Sequence, residues 1–506
     1  MKQLRHYISR VGLLLCLCFA LLALYGVYSL SNYGSRWFST SANTWLRSAK
    51  KDVIPGDVYD VDGILLAGSA VTDTEDGFTV TRRYNNDEAI RRSLVHVLGD
   101  AGGKVANGVE TFMARALYGF DQTITERVRD FISGTRRKGD SLILTVDSSL
   151  SKYILQCLEG MRIPVSADGT SQGIPGGAVA VMNWKTGAVL AELSYPTFDP
   201  ANVQASSGNE GQPYFNRVTQ GLYAPGSVFK VVTAAAMLSD PQLSGRSFNC
   251  SGSFRIEDQD GLVREITDAG TDLAEGIMVS HGQIDLRRAF RVSCNNTFAS
   301  AAVQLTDTKL RKQAMAFGFD ANFLFREILV ENSSYPEENR TPWQLALTGI
   351  GQSGLAATPM HLCLIASAVA NDGVMMEPRL IARKTASDGT VRAGDGARTG
   401  RRVFENSEIP ALLREYMYDA VNEENGTGRQ AALAGWRICG KTGSAEVDGQ
   451  ERTNALFIGF IDDERAPYAV SVVLEDTGSG GEYAAPLAHD IFEYLTEHLQ
   501  NLDSLL

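Results

Sequence analysis

One stretch near the N-terminus is apolar along its whole length. Val11 to Leu30 reads VGLLLCLCFALLALYGVYSL and carries no charge. Twenty helical residues at about 1.5 Å rise span about 30 Å, the thickness of a bilayer core. The pattern predicts a transmembrane helix, with Lys2, Arg5 and Arg10 ahead of it and Tyr25, Tyr28 and Trp37 at the far interface. A cleaved leader fits less well, because its apolar core is usually shorter and no clear small-x-small site follows. Arg36, Arg47, Lys50 and Lys51 lie beyond the span and blunt the charge asymmetry. A short basic tail before the span still favours an internal N-terminus. Residues 1–10 then form a cytoplasmic tail, 11–30 the anchor, and the remainder is extracytoplasmic.

Downstream, the pattern switches between strand and helix periods. Residues 31–52 read as a polar stalk. Ile54 to Ser69 alternates short β-type runs with turns at Gly56-Asp57 and Asp62-Gly63. Asp87 to Leu98 has the three-and-four spacing of a helix. A small α+β module, residues 31–138, therefore precedes the main domain at 139–506. In that domain Ser141 to Val146 reads as a strand, and Asp147 as the cap of a helix to Glu159. A polar stretch, Ser166 to Gly177, follows. Ala178–Met182 and Ala188–Leu193 form a predicted hairpin around Asn183 to Gly187. Val231–Leu238, Thr358–Ala370 and Ala488–Leu499 read as helices, and Ala455–Ile461 and Ala469–Leu474 as strands. The fold class is α+β.

The chain has 506 residues, enough for two to four domains. A net charge of −12 argues against a nucleic-acid binder, which needs a basic face. Cys157, Cys250, Cys294, Cys363 and Cys439 are scattered, without CxxC or Cys/His spacing, so neither a disulfide framework nor a zinc site is expected. His281, His361 and His489 read as isolated surface or satisfied positions, and Met375-Met376 as core. No metal or cofactor is expected.

Three short motifs carry chemistry. Ser227-Val228-Phe229-Lys230 is an SxxK, Ser293-Cys294-Asn295 an SxN and Lys441-Thr442-Gly443 a KTG. A serine hydroxyl is a weak nucleophile until a base takes its proton. Lys230, three residues on, shares a helix face with Ser227, and burial beside a second cation such as Lys441 favours its neutral amine. Ser293 is placed to relay a proton and Asn295 to hold a substrate backbone. Lys441 and Thr442 offer a cation and a hydroxyl to a carboxylate, and Gly443 leaves room beside the strand. The N–H groups of Ser227 and Ser444 are the candidate oxyanion hole. Each motif also occurs elsewhere: Ser149 to Lys152 is an SxxK, Ser41 to Asn43, Ser207 to Asn209 and Ser247 to Asn249 are SxN, and Lys185 to Gly187 is a KTG. Context separates them. Only Ser227 follows a Pro-Gly helix start, Ser149 lies on a solvated helix face, and Lys185 to Gly187 sits at a hairpin tip.

The ordered set resembles the transpeptidase domain of class B (monofunctional) penicillin-binding proteins. Asn216-Arg217 with Tyr223 to Lys230 resembles the nucleophile segment. Gly349 to Gln352, Ala357 to Met360 and Ala370 to Gly373 resemble the middle segment, and Gly440 to Glu446 the third motif. Gly139-Asp140 with Leu144 to Asp147 resembles the start of the domain. Upstream, Pro55 and Val61 stand where the family's RGxIxDRxGxxLA segment has arginines. The resemblance implies a penicillin-binding/β-lactamase-like antiparallel sheet flanked by helices. It implies D,D-transpeptidation: Ser227 attacks the D-Ala-D-Ala carbonyl of a peptidoglycan stem peptide, a neighbouring amine resolves the acyl-enzyme, and β-lactams acylate Ser227. It also implies a membrane glycan polymerase of the shape, elongation, division and sporulation family as partner. Two alternatives stand beside it: a D,D-carboxypeptidase or β-lactamase-type hydrolase on the same scaffold, and a non-catalytic β-lactam sensor or scaffold.

Overall fold

The computed structural model describes residues 2–38, 53–75, 77–100, 105, 107–134, 136–164, 170–203, 211–270, 279–337, 340–392, 396–447 and 452–498. The apolar N-terminal pattern forms one helix, α1 (Lys2–Phe38), and its stretch His6–Ser29 has a mean hydropathy of 2.4. Leu13, Phe19, Leu22 and Val27 project from it without protein cover, as lipid-facing side chains would. The expected stalk is helical as far as Phe38, and its remainder, 39–52, lies outside the described residues.

Next come β1 (Val58–Tyr59), β2 (Leu65–Thr74), β3 (Gly77–Tyr84) and α2 (Glu88–Leu98). Asp87 caps α2 by accepting the N–H groups of Ala89 and Ile90. Then β4 (Ser141–Leu144) leads into α3 (Ser148–Gly160), capped by Asp147. The small module and the main domain share a sheet. Two strands from far downstream, β11 (Ile381–Thr385) and β12 (Val391–Arg392), complete the order β12-β11-β4-β1-β2-β3. Asp60 reinforces this junction by accepting the Ser148 hydroxyl at 2.5 Å. Burial nevertheless raises the Asp60 pKa. Val61, where the family segment has an arginine, is buried among apolar neighbours instead.

The main sheet has five antiparallel strands. They are β5 (Gly176–Asn183), β6 (Val189–Tyr195), β13 (Ile438–Ala445), β14 (Asn454–Ile461) and β15 (Tyr468–Glu475), in the order β13-β14-β15-β5-β6. Successive side chains on β5 alternate between two cores, as the two-residue period requires. Ala178, Ala180 and Met182 join the core under α4 (Lys230–Ser239), α5 (Asn295–Phe317) and α6 (Pro359–Ala370). Val179 and Val181 join the opposite core under α3 and α7 (Ala485–His498). Every residue of α6 is buried, so its apolar sequence all round matches a helix at the centre of a layered domain. The sheet is thus flanked by helices on both faces, and β13, the strand with the KTG residues, is left at its edge.

Two buried histidines make the fold acid-sensitive. His96 Nε2 donates to Pro213 O and His361 Nε2 to Phe317 O, both at 2.9 Å. Burial lowers both pKa values to about 4, well below the usual 6.5. The unfolded chain takes up these protons as pH falls through 6.5, while the folded chain takes them up only near 4. Stability is therefore lost with falling pH in that window, about 2 kcal/mol per histidine at pH 5. Thermal melts of the detergent-solubilised chain are expected to show a lower Tm at pH 5 than at pH 7, with His361→Gln reducing the difference.

Candidate active site

The nucleophile segment is clamped before it becomes a helix. The Tyr223 hydroxyl and Arg217 Nε both donate to Glu475 Oε1 at the end of β15, at 2.7 and 2.9 Å. Pro225 precedes Gly226, whose φ of +52° suits glycine. The Gly226 N–H donates to Gly351 O at 2.9 Å, and a Cβ on Gly226 would come within 2.7 Å of Ser444 O. Gly226–Phe229 is a 3₁₀ turn that passes into α4 at Lys230. Residues three apart eclipse in a 3₁₀ turn, so the backbone aligns Lys230 with Ser227 more directly than the expected α-helix does. Ser227 is half-buried and Lys230 fully buried.

Lys230 and Lys441 meet at Ser293. Lys230 Nζ donates to Ser293 O at 2.7 Å, Ser293 Oγ at 3.1 Å and Asn295 Oδ1 at 2.6 Å. Lys441 Nζ donates to the same Ser293 Oγ at 2.9 Å and to Thr442 O at 3.1 Å. Ser293 reaches this position with a left-handed φ of +55°, uncommon for a residue with a side chain. Burial lowers the Lys230 pKa to about 8. Lys441 is lowered well below its ordinary value, first by burial and then by the Lys230 charge. Two buried ammonium groups on one hydroxyl repel, so the proton held least firmly is that of Lys441.

The KTG residues lie on the edge strand β13, where the backbone has room for one more extended chain. Thr442 donates its hydroxyl to Thr427 at 2.7 Å. A Cβ on Gly443 would stand 3.0 Å from Pro225 O and 3.1 Å from Val228, so glycine here lets β13 pack on the nucleophile turn. Ser444 is exposed, and its hydroxyl accepts the Gly480 N–H at 3.2 Å. Asn295 Oδ1 accepts from Lys230 Nζ, and its Nδ2 donates to Thr267 O at 2.8 Å, which fixes the orientation of the amide.

The other motif copies stand apart. Ser149 is exposed on α3, and Lys152 pairs with Asp87 at 2.6 Å. Lys185 to Gly187 turns the β5–β6 hairpin, and Ser247 precedes the strand β7 (Phe248–Cys250). The SxN copies at 41–43 and 207–209 lie outside the described residues. His361 Nε2 and His489 Nδ1 each bond a backbone carbonyl, the buried His361 Nδ1 has no hydrogen-bond partner among the described residues, and Met375 and Met376 are buried. The expectation for His281 is corrected. It gathers with Cys250, Asp268 and Cys294, their ligand-type atoms all within 4.8 Å of one another. No local spacing signals this, because strand pairing between distant segments creates it. Thr427 and Asp268 were likewise invisible as site residues. Asp268 Oδ1 accepts the backbone N–H groups of Asn295 and Asn296 and so fixes the start of α5.

Ser293→Ala removes the acceptor shared by both lysines. The rate of covalent labelling by a fluorescent penicillin is expected to fall about 10²–10⁴-fold, the usual range for losing a proton-transfer group. Circular dichroism should be unchanged.

Comparison with known proteins agrees with this arrangement. A family profile described as the penicillin binding protein transpeptidase domain matches residues 177–493. The chain is 28% identical over 449 residues to the peptidoglycan D,D-transpeptidase PbpA of Mycolicibacterium smegmatis, covering 84% of this chain and 86% of that protein. It is 26% identical over 402 residues to the peptidoglycan D,D-transpeptidase MrdA of Acinetobacter baumannii, covering 71% of this chain and 54% of that protein. The imipenem acyl-enzyme complex of penicillin-binding protein A from M. tuberculosis superposes with a TM-score of 0.75 at 25% identity, covering 89% of this chain and all of that one. With the profile spanning well over half its length and all three motifs meeting at one buried network, this chain belongs to the penicillin-binding protein transpeptidase family.

Proposed function

We propose that this chain cross-links peptidoglycan stem peptides by D,D-transpeptidation through an acyl-enzyme on Ser227. The observation that carries this reading is the pair of buried lysines sharing Ser293 Oγ, directly behind the serine turn and beside an open strand edge. A stem peptide lies along β13 with its terminal carboxylate toward Lys441 and Thr442. That carboxylate favours the charged form of Lys441, and the repulsion between the lysines then favours neutral Lys230. Neutral Lys230 takes the Ser227 proton as Oγ attacks the penultimate D-Ala carbonyl. The N–H groups of Ser227 and Ser444 hold the oxyanion. Ser293 passes a proton to the leaving D-Ala amine. An amine from a second stem peptide, deprotonated along the same route, attacks the ester and releases Ser227.

Extracytoplasmic action follows from the substrate. The apolar helix α1 supports single-pass anchoring, and an extracytoplasmic substrate puts residues 1–10 inside. In this reading residues 31–138 form the pedestal, 139–506 carry the transpeptidase, and the anchor and pedestal engage a glycan polymerase of the shape, elongation, division and sporulation family.

Two measurements test the chemistry. Mass spectrometry after penicillin treatment is expected to find the penicilloyl adduct on Ser227, with none on Ser227→Ala; an adduct on another residue would overturn the assignment. Supplied with a stem-peptide donor and an amine acceptor, the enzyme should form the cross-linked product, whereas hydrolysis alone would favour a carboxypeptidase. A third measurement addresses the base. With Lys230 lowered to about 8, its neutral fraction grows as pH rises. The acylation rate should climb about tenfold per pH unit below 8 and level off above it, and a flat profile between pH 6 and 9 would exclude Lys230 as the base.

A further inference from the structure

A helix on a water-soluble domain turns its apolar stripe inward and its charges outward. The pedestal helix Ile124–Ser133 does the reverse. Ile124, Val128, Phe131 and Ile132 are 80%, 51%, 87% and 78% exposed. At about 100° per residue these side chains fall within one arc of about 100°. The least exposed residues of the helix are instead the acids Glu126 and Asp130, on the opposite side. Arg392 Nη2 donates to Glu126 at 3.1 Å, and Gln122 Nε2 donates to Asp130 at 3.3 Å.

Local contacts hold the helix in this orientation. Its ten residues are too few for a stable isolated helix in water. Thr123 and Glu126 close a capping box at its start, and Gly134 ends it with a left-handed φ of +64°. Arg129 pairs at 2.8 Å with Asp388, in the turn between β11 and β12. Arg392 on β12 bridges Glu126 to Asp140, just ahead of β4. The charged side is thus tied to the sheet that the small module shares with the main domain. Rotating the apolar side inward would break those pairs.

Position and charge say what covers this face. α1 contacts the short helix Ala114–Leu117, and Ser29, where the apolar stretch of α1 ends, is buried. The chain from Leu117 to Ile124 spans at most about 25 Å, so the apolar arc lies near the end of the membrane span. Arg127 and Arg129 stand about 40° and 60° beyond the two edges of that arc, where the arginines of an interfacial helix meet lipid phosphates. The acids, which anionic lipid repels, are turned away. We propose that this helix lies in the extracytoplasmic surface of the bilayer that α1 crosses. Ile124, Val128, Phe131 and Ile132 sit among the acyl chains, and Arg127 and Arg129 at anionic headgroups. The inference rests on α1 being the anchor and not on the reaction at Ser227. The pedestal then touches the membrane at two places, which fixes its tilt where a single span leaves it free to swing. The Arg392 bridge carries that constraint into the shared sheet and so to the catalytic domain.

The test uses the full chain in nanodiscs of phosphatidylcholine and phosphatidylglycerol with a trace of phospholipid carrying a photoactivatable acyl chain. Peptide mapping after illumination is expected to find lipid adducts on α1 and on residues 124–133. It should find none at Leu262 and Val263, which are also exposed, at the tip of the hairpin of β8 (Ser253–Glu257) and β9 (Val263–Thr267). Phe131→Ser/Ile132→Ser should lower labelling of 124–133 about tenfold relative to α1. Circular dichroism and the fluorescent-penicillin acylation rate of this variant in detergent should match the wild type, which separates lost contact from unfolding. In phosphatidylcholine alone the labelling of 124–133 should fall about two- to threefold, and no change would overturn the role given to the arginines. Adducts on α1 with none on 124–133 overturn the inference, as does equal labelling at Leu262 and Val263. It is also overturned if 124–133 cross-links to a second copy, or to a co-reconstituted glycan polymerase, in place of lipid. Labelling of neither segment would sink the anchor as well. Lipid labelling of Ser227→Ala, which has no nucleophile at that position, keeps these outcomes separate from the proposed reaction.

Discussion

The site depends on one hydroxyl shared by two buried lysines. Neither amine has a carboxylate partner among its hydrogen bonds; both point at Ser293 Oγ. Burying an ammonium group is unfavourable, and the lowered pKa of each lysine expresses that; for Lys441 the Lys230 charge adds to it. The same unfavourable energy makes a lysine useful as a base near neutral pH. An exposed Lys230 would stay protonated and leave Ser227 inert.

Holding that arrangement requires rigidity from both sides. On one side the five-stranded sheet, filled by side chains on both faces, presents β13 at its edge. On the other, α6 lies wholly in the core and helps support the layer that carries α4 and α5. Close backbone approaches then lock the nucleophile turn to the edge strand, with Gly226 against Ser444 and Gly443 against Pro225. A side chain at either glycine would push the serine turn away from the KTG strand.

The small module is separate in chain order but not in space. Its sheet takes β11 and β12 from more than two hundred residues downstream, and Arg392 on β12 bridges Asp140 and Glu126. The anchor-proximal module and the catalytic domain are therefore joined by strand pairing and ion pairs rather than by a linker alone. A further set of distant segments converges on Cys294, which lies between Ser293 and Asn295.

Local pattern was enough for much of this. The unbroken apolar run, the cap at Asp147 and the hairpin at Asn183 to Gly187 are all settled by short-range physics, and the structure has them. The motif order and the Pro-Gly start also singled out Ser227, Lys230, Ser293 and Lys441 from the stray copies. What the sequence did not contain is proximity. Asn295 is oriented by Lys230 at its Oδ1 and by Thr267 at its Nδ2. His281 ceased to be isolated because β10 (Gly282–Ile284) pairs with β7. The 3₁₀ turn that eclipses Lys230 over Ser227 follows from tight packing at Gly226 and Gly351, not from helix propensity. Residue type and local spacing determined which chemistry this chain is able to perform. Tertiary packing decided which groups are desolvated and paired, because burial and long-range contact are properties of the folded surface and not of any segment.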